Sequence, residues 1–212
     1  MRRGPRSALL LLNGEVADPV LVRRLARRVS LLACADGGSR HAARLGLIPD
    51  AVVGDMDSLP RPLPRSWRQT SFLCDFDEDS SDFEKALDFL ERAGCGLLYV
   101  AGLLGGRLDH ALVNLALAQA WGCRHSLVIV DRGLATLLGP GRYGLPLKRG
   151  GMLSLLAVTR RVKLSVSGVR YPLRQAVLTP GGRGLSNESR GPVTLTVHAG
   201  RVWVMSAKGF PL

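Results

Sequence analysis

Residues 51–58 read Ala51-Val52-Val53-Gly54-Asp55-Met56-Asp57-Ser58, a short apolar run that stops at a glycine and then presents two carboxylates two residues apart. A strand that ends this way delivers hard oxygen ligands to the carboxyl edge of a sheet, where open α/β sheets bind their ligands. Carboxylates of this kind hold Mg²⁺ on substrate phosphates. An acidic solvated turn would use the same residues with no metal, since Asp favours turns. Both readings stand for the pair alone, and the flanking chain has to separate them.

Around this stretch, apolar runs at 8–12, 31–35, 51–53, 70–73, 97–101 and 126–130 alternate with helix-length patterns near 19–29, 39–45, 82–93 and 108–121. That alternation predicts βαβ units and a parallel sheet. Asp18 and Pro19 supply an N-cap and a first helical residue. Phe83, Ala86, Leu87 and Leu90 fall on one helical face. From Leu134 the texture changes to short Val-, Leu- and Thr-rich runs broken by Gly and Pro, at 152–158, 162–167, 175–178, 193–197 and 202–206. No helical period appears there, which predicts a small antiparallel β domain. The expected architecture is a Rossmann-like, mostly parallel α/β domain over 1–139 and a smaller antiparallel β-sandwich over 140–212.

Composition excludes several classes. With 46% hydrophobic and 22% charged residues the 212-residue chain is globular, not disordered. No apolar run approaches the roughly 20 residues that span a bilayer. Met1-Arg2-Arg3 followed by the apolar residues 7–12 has the look of a signal peptide. That run stops at Asn13-Gly14-Glu15 and no small-residue cleavage site follows, so it reads as a first buried strand. Cys34, Cys74, Cys95 and Cys123 show no C-x-x-C spacing, which predicts reduced thiols in a cytoplasmic protein. The net charge of +12 is unevenly placed: 17 basic and 16 acidic residues up to Gly139, then 12 basic residues against Glu188 alone. Such a basic segment suits polyanions, nucleotide phosphates or nucleic acid, and equally a solvated basic surface.

Four chemically loaded clusters fall at predicted strand ends: Asp36-Gly37-Gly38, Asp55/Asp57, residues 79–85 and residues 102–109. A parallel sheet places them all on one edge. Gly102, Gly105, Gly106 and Arg107 precede a helix, a composition that lets backbone N–H groups approach a phosphate while an arginine forks onto its oxygens. The spacing is not that of a P-loop. Asp82 and Lys85 stand three apart at a helix start, where Asp79, Ser80 and Asp82 would also serve as plain caps. Asp109 and His110 lie just inside the next helix, and helix formation requires neither. Histidines 41, 110, 125 and 198 show no metal spacing, and His41 and His125 read as surface or packing residues. Several carboxylates, one Lys, one Arg and a glycine cradle are the parts phosphoryl-type transfer needs, because its catalysis is mostly positioning and charge stabilisation.

In order and spacing, Ala35–Gly38, Gly54–Ser58, the run Asp79-Ser80-Ser81-Asp82-Phe83-Glu84-Lys85-Ala86-Leu87 and Gly105-Gly106-Arg107-Leu108-Asp109-His110 resemble the motifs of thiamine pyrophosphokinases. Residues 168–173 (Gly-Val-Arg-Tyr-Pro-Leu) and 184–188 (Gly-Leu-Ser-Asn-Glu) resemble that family's thiamine-binding β domain. The resemblance implies Mg²⁺-dependent transfer of a diphosphate group from ATP to the hydroxyl of thiamine, giving thiamine diphosphate and AMP. It also implies a homodimer whose active sites form between the α/β domain of one subunit and the β domain of the other. By the same resemblance, Asp55, Asp57 and Asp82 are expected to bind Mg²⁺. Asp36, Gly37, Gly38, Lys85, Gly105, Gly106 and Arg107 are expected at ATP and its phosphates, and Asp109 as a catalytic or substrate-orienting acid. Met56 replaces the family's usual Phe, and Ser81 its usual Thr.

Thiamine is a cation, yet the β domain that should receive it carries Glu188 as its single acid. Ser186, Asn187 and Glu188 are therefore expected at the aminopyrimidine or the thiazolium charge, with Tyr171 as an aromatic platform. Two other functions fit less of the chain. A diphosphokinase for another alcohol, such as a hydroxymethylpterin, would share the α/β half but not the β-domain motifs. A nucleic-acid-binding protein would use the basic β domain, but the ordered carboxylates would have no task and the aromatic interleaving of a single-strand binder is missing.

Overall fold

The computed structural model describes residues 6–206, so the opening Met1-Arg2-Arg3 lies outside the described residues. The chain divides into two compact units, Met1–Asp131 and Arg132–Leu212. Thirteen strands and four α-helices lie among the described residues, and none of those helices is long and apolar enough to cross a membrane.

The first unit is α/β. Its strands are β1 (Arg6–Leu11), β2 (Leu31–Ala35), β3 (Ala51–Gly54), β4 (Ser71–Cys74), β5 (Cys95–Ala101) and β6 (Ser126–Val130). They lie in the order β4-β3-β2-β1-β5-β6, and every pairing is parallel. The central strand β1 buries Leu9, Leu10 and Leu11 completely, the continuous apolar run expected of a parallel strand covered on both faces. Helices α1 (Pro19–Ala26), α2 (Ser39–Leu45), α3 (Asp82–Arg92) and α4 (Leu108–Gly122) connect the strands. Asp18 accepts a bond from Leu21 N–H at the start of α1, whose α-helical run stops at Ala26, short of residue 29. At α3, Ser81 and Glu84 form a reciprocal capping box.

From β1 the chain steps one way through β2, β3 and β4, then returns to β5 on the other side of β1. The gap between the carboxyl ends of β1 and β5 is thus the topological switch point, the usual crevice for a ligand. Here main chain fills it. Leu12 N–H bonds Ala101 O at 2.9 Å, Gly14 N–H bonds Gly102 O at 2.8 Å and Glu15 N–H bonds Leu104 O at 2.7 Å. A Cβ on Gly102 would stand 2.3 Å from Leu12 O, and its φ of +74° is itself a glycine conformation. The open part of the carboxyl edge therefore lies at β2 and β3.

The second unit is all β. Its strands are β7 (Leu134–Leu138), β8 (Gly141–Leu145), β9 (Met152–Ala157), β10 (Val162–Val169), β11 (Leu173–Leu178), β12 (Asn187–Ala199) and β13 (Val202–Ser206). All the pairings among them are antiparallel. The long β12 starts against β9 through Asn187 and Glu188, then continues against β10 and β8. Leu153, Leu155, Leu164, Val166, Leu195 and Val204 form part of one buried cluster. The division between units falls at Asp131/Arg132, ahead of the 139/140 boundary expected from composition, because β7 pairs along its whole length with β13.

Candidate active site

The register of β2 on β3 pairs Ala35 with Val53, so the next residues, Asp36 and Gly54, stand side by side at the strand ends. Gly54 has φ +144°, and a Cβ there would lie 2.8 Å from both Asp36 Cβ and Asp82 Oδ1. A side chain at position 54 would displace one carboxylate or the other. Two non-glycine residues at this edge adopt left-handed backbone, Asp36 at φ 31° and Met56 at φ 69°. Such conformations cost of order 1–3 kcal/mol each and persist where surrounding structure enforces them. The bend at Met56 separates Asp55 from Asp57, whose N–H bonds Asp55 Oδ1 at 3.1 Å.

Carboxylate oxygens of Asp36, Asp55 and Asp57 lie within 4.8 Å of one another. Asp36 is 3% exposed, whereas Asp55 and Asp57 face solvent. Asp82, expected in the ligand set from sequence, is adjacent to this trio but not part of it; Asp36, expected at ATP, is. Burial, with Asp55 and Asp57 adding repulsion against the bond from Ser58, raises the Asp36 pKa above the usual carboxylate range. Burial first, and then the charges of Asp36 and Asp55, push Asp82 up to about 6. Hard oxygen donors, mutual repulsion and two solvent-facing members fit Mg²⁺. That ion is typically held by one or two protein carboxylates, with substrate phosphates and water completing its shell.

Lys85 is buried one turn into α3, and its Nζ donates to Asp75 O at 2.8 Å. It thereby ties down the acidic loop of residues 75–81. Two carboxylates of that loop are occupied locally: Asp75 accepts from Asp77 N–H, and Asp77 from Asp79 N–H and Ser80 Oγ.

The glycines of the predicted phosphate cradle differ in their surroundings. A Cβ on Gly105 would crowd the Glu15 main chain at 3.0 Å, so the glycines at 102 and 105 admit the neighbouring loop. Gly106 has open space around it. Gly37 packs on the Asn13 side chain and Gly38 on Leu11 O. Arg107 is paired with Asp109, Nη2 to Oδ2 at 2.6 Å and Nε to Oδ1 at 3.1 Å. That pairing, together with His110 N–H, takes the Asp109 pKa down to about 2.

In the second unit, Tyr171, Asn187 and Glu188 come together where β10 leaves and β12 begins. Buried Asn187 accepts from Tyr171 N–H at 3.0 Å and donates to Tyr171 O at 2.8 Å. It clamps the turn through both polar groups of its amide. The Tyr171 ring is exposed, with the Arg170 guanidinium 5.3 Å from its centroid. Arg170 also stands 3.9 Å from the Glu188 carboxylate. Ser186, at φ 55°, donates its N–H to Ser154 Oγ at 3.0 Å.

Sequence reasoning missed a basic groove of about 850 Å³ beside Asp57, lined by Asn13, Arg40, Arg44, Pro60 and Arg61 among others. His41, expected at the surface or in packing, is buried and shares this groove's wall. The spacing of Arg40 and Arg44, four apart on one helix, was the available signal.

The family described as thiamin pyrophosphokinase, catalytic domain, matches residues 22–131, just over half of the chain. Thiamine pyrophosphokinase 1 of Arabidopsis thaliana is 26% identical over 239 residues, covering 97% of this chain and 88% of the relative. The crystal structure of thiamine pyrophosphokinase from Bacillus subtilis superposes with a TM-score of 0.81 at 20% identity, covering 95% of this chain and 98% of that one. The thiamin pyrophosphokinase of Geobacillus thermodenitrificans gives 0.81 at 24% identity, covering 94% and 96%. At those identities the two superpositions speak for the fold. With the matched segment containing Asp36, Asp55, Asp57 and Asp82, the chain belongs to the thiamin pyrophosphokinase family.

Proposed function

We propose that this chain is a thiamine diphosphokinase, transferring a diphosphate group from ATP to the hydroxyl of thiamine to give thiamine diphosphate and AMP. The observation that carries the reading is the gathering of Asp36, Asp55 and Asp57 at the open carboxyl edge of a sheet inside the family-matched segment. In the reaction, the thiamine hydroxyl oxygen bonds to the β-phosphorus, the bond from that phosphorus to the oxygen it shares with the α-phosphorus breaks, and AMP leaves with that oxygen. The hydroxyl proton is released as the new bond forms.

Asp36, Asp55 and Asp57, with Asp82 beside them, would hold Mg²⁺. When bound, Mg²⁺ supplies positive charge against the triphosphate, which needs charge stabilisation more than covalent help. Lys85 fixes the loop that leads into α3 and so fixes Asp82. Asp109, kept ionised by Arg107, is suited to accept a hydrogen bond from the incoming hydroxyl and orient it. It is poorly suited to take the proton, because general bases work best with a pKa near the working pH.

The first unit serves ATP and Mg²⁺, and the second, a β-sandwich in this reading, serves thiamine through Tyr171, Ser186 and Glu188. Asn187 supports that site through its hold on Tyr171. A homodimer supplies each active site with the first unit of one subunit and the second unit of the other, and the reduced thiols fit a cytoplasmic enzyme.

Incubation with ATP, Mg²⁺ and thiamine tests the activity: AMP and thiamine diphosphate should appear together. ADP in place of AMP would mean single-phosphate transfer, and turnover of a hydroxymethylpterin in preference to thiamine would replace the acceptor. Light scattering should give twice the chain mass for the homodimer.

A further inference from the structure

The groove beside the carboxylates has no task in the scheme so far. Arg40 and Arg44 lie on one face of α2, Arg61 comes from the loop after Asp57, and together they line a cavity of about 850 Å³ that Asp57 borders. All three arginines are exposed. Among the described residues none of the three forms an ion pair with a carboxylate. Arg107, by contrast, is already committed to Asp109.

His41 sets the geometry of this wall. Arg44 Nη2 lies 2.7 Å from His41 Nδ1. A guanidinium has only donors, so Nδ1 accepts and the ring proton sits on Nε2. The buried ring lies beside the backbone of Asn13 and Gly14. His41 therefore holds Arg44 in place on this wall, and it does so as a neutral ring.

We infer that this groove is the polyphosphate subsite of the enzyme. Arg40, Arg44 and Arg61 take the oxygens of the ATP triphosphate chain next to the Asp36/Asp55/Asp57 cluster, and His41 is the positioning residue for Arg44. This rests on the diphosphokinase reading and deepens it. Three guanidinium groups suit a chain of about four negative charges, since arginine forks onto phosphate oxygens with two parallel bonds.

The test is steady-state AMP release by the full chain, with tripolyphosphate as a competing probe that has no nucleoside. R40Q, R44Q and R61Q should each raise KM for ATP about tenfold, raise the tripolyphosphate inhibition constant in parallel, and leave KM for thiamine within twofold. H41A should track R44Q in KM for ATP, the H41A/R44Q double variant should be no worse than R44Q, and H41N, which keeps an acceptor near Nδ1, should recover most of the loss. A wild type that releases AMP while the arginine variants keep their KM for ATP overturns the subsite and leaves the diphosphokinase reading standing. A wild type that releases no AMP overturns both. If H41A lowers melting temperature and kcat without a selective rise in KM for ATP, His41 is a packing residue and its positioning role falls.

Discussion

Arg107 and Asp109 hold each other in a forked ion pair, with contacts at 2.6 and 3.1 Å, although both side chains face solvent. The pair joins a residue expected on phosphate to one expected on the acceptor hydroxyl. It makes each less available for those tasks singly and more precisely placed as a unit. A fork between a guanidinium and a carboxylate fixes direction as well as distance.

Replacing Asp109 with Asn should lower kcat by about 10²-fold with little change in KM for thiamine, the pattern of an interaction used in the transition state. Because the Asp109 pKa lies near 2, the carboxylate is ionised at every working pH. Wild type and variant should thus give pH–rate curves of the same shape between about pH 5 and 9, displaced in height. A limb present in wild type and missing in the variant would show that Asp109 titrates in the reaction.

Asp82 carries a stability signature. Its pKa is raised to about 6 in the folded chain, so the folded state holds that proton more tightly than the unfolded state does. The group's contribution is complete below the unfolded pKa near 3.8 and is lost as pH rises through about 6. In chelator, wild type should therefore lose about 1–2 kcal/mol relative to Asp82→Asn between pH 4 and pH 8, a figure reduced for the solvent that reaches this half-buried carboxylate. Urea unfolding at the two pH values measures the gap, and Asn should abolish AMP release at both.

Ser81 accepts from Glu84 N–H at 3.3 Å, while the Glu84 carboxylate takes bonds from Ser81 N–H and Oγ at 2.9 Å. Ser81→Ala should cost about 1 kcal/mol of stability. Ser81→Thr should stay within about 0.5 kcal/mol. Since Asp82 and Lys85 ride on this first turn, the alanine enzyme should also lose kcat while the threonine enzyme keeps it.

In the second unit, neighbouring residues should separate by readout. Asn187→Ala strands two polar groups of Tyr171 and should cost about 2–3 kcal/mol in urea unfolding. Glu188→Gln should leave stability within about 0.5 kcal/mol and weaken thiamine binding severalfold. An unaltered thiamine Kd in the Glu188→Gln enzyme would remove Glu188 from the balance of the thiazolium charge.

Features with local signals were legible in the chain alone. The apolar run 51–53 ending at Gly54 marked a strand and its acidic exit, and Ser81-x-x-Glu84 marked the start of α3. Features that depend on what approaches from elsewhere were not. The place of Asp36 among the carboxylates follows from the pairing of Ala35 with Val53, a register no local pattern encodes. Gly102 and Gly105 announced a close approach of backbone, but not that the residue 12–15 loop is a group that approaches them. Strand β8 has few apolar residues and is held by its ladder with Val193–Val197 of β12, so its own sequence scarcely reveals it.

The three backbone bonds that join residues 12–15 to residues 101–104 also bear on how this sheet edge can vary. The two loops are matched to each other at three points, and Gly37 rests on Asn13 between the first two of them. Inserting or deleting a single residue in either loop would shift the match along its whole length and carry through Asn13 to the turn that bears Asp36. At this edge a change in the number of residues would do more harm than a change in their kind.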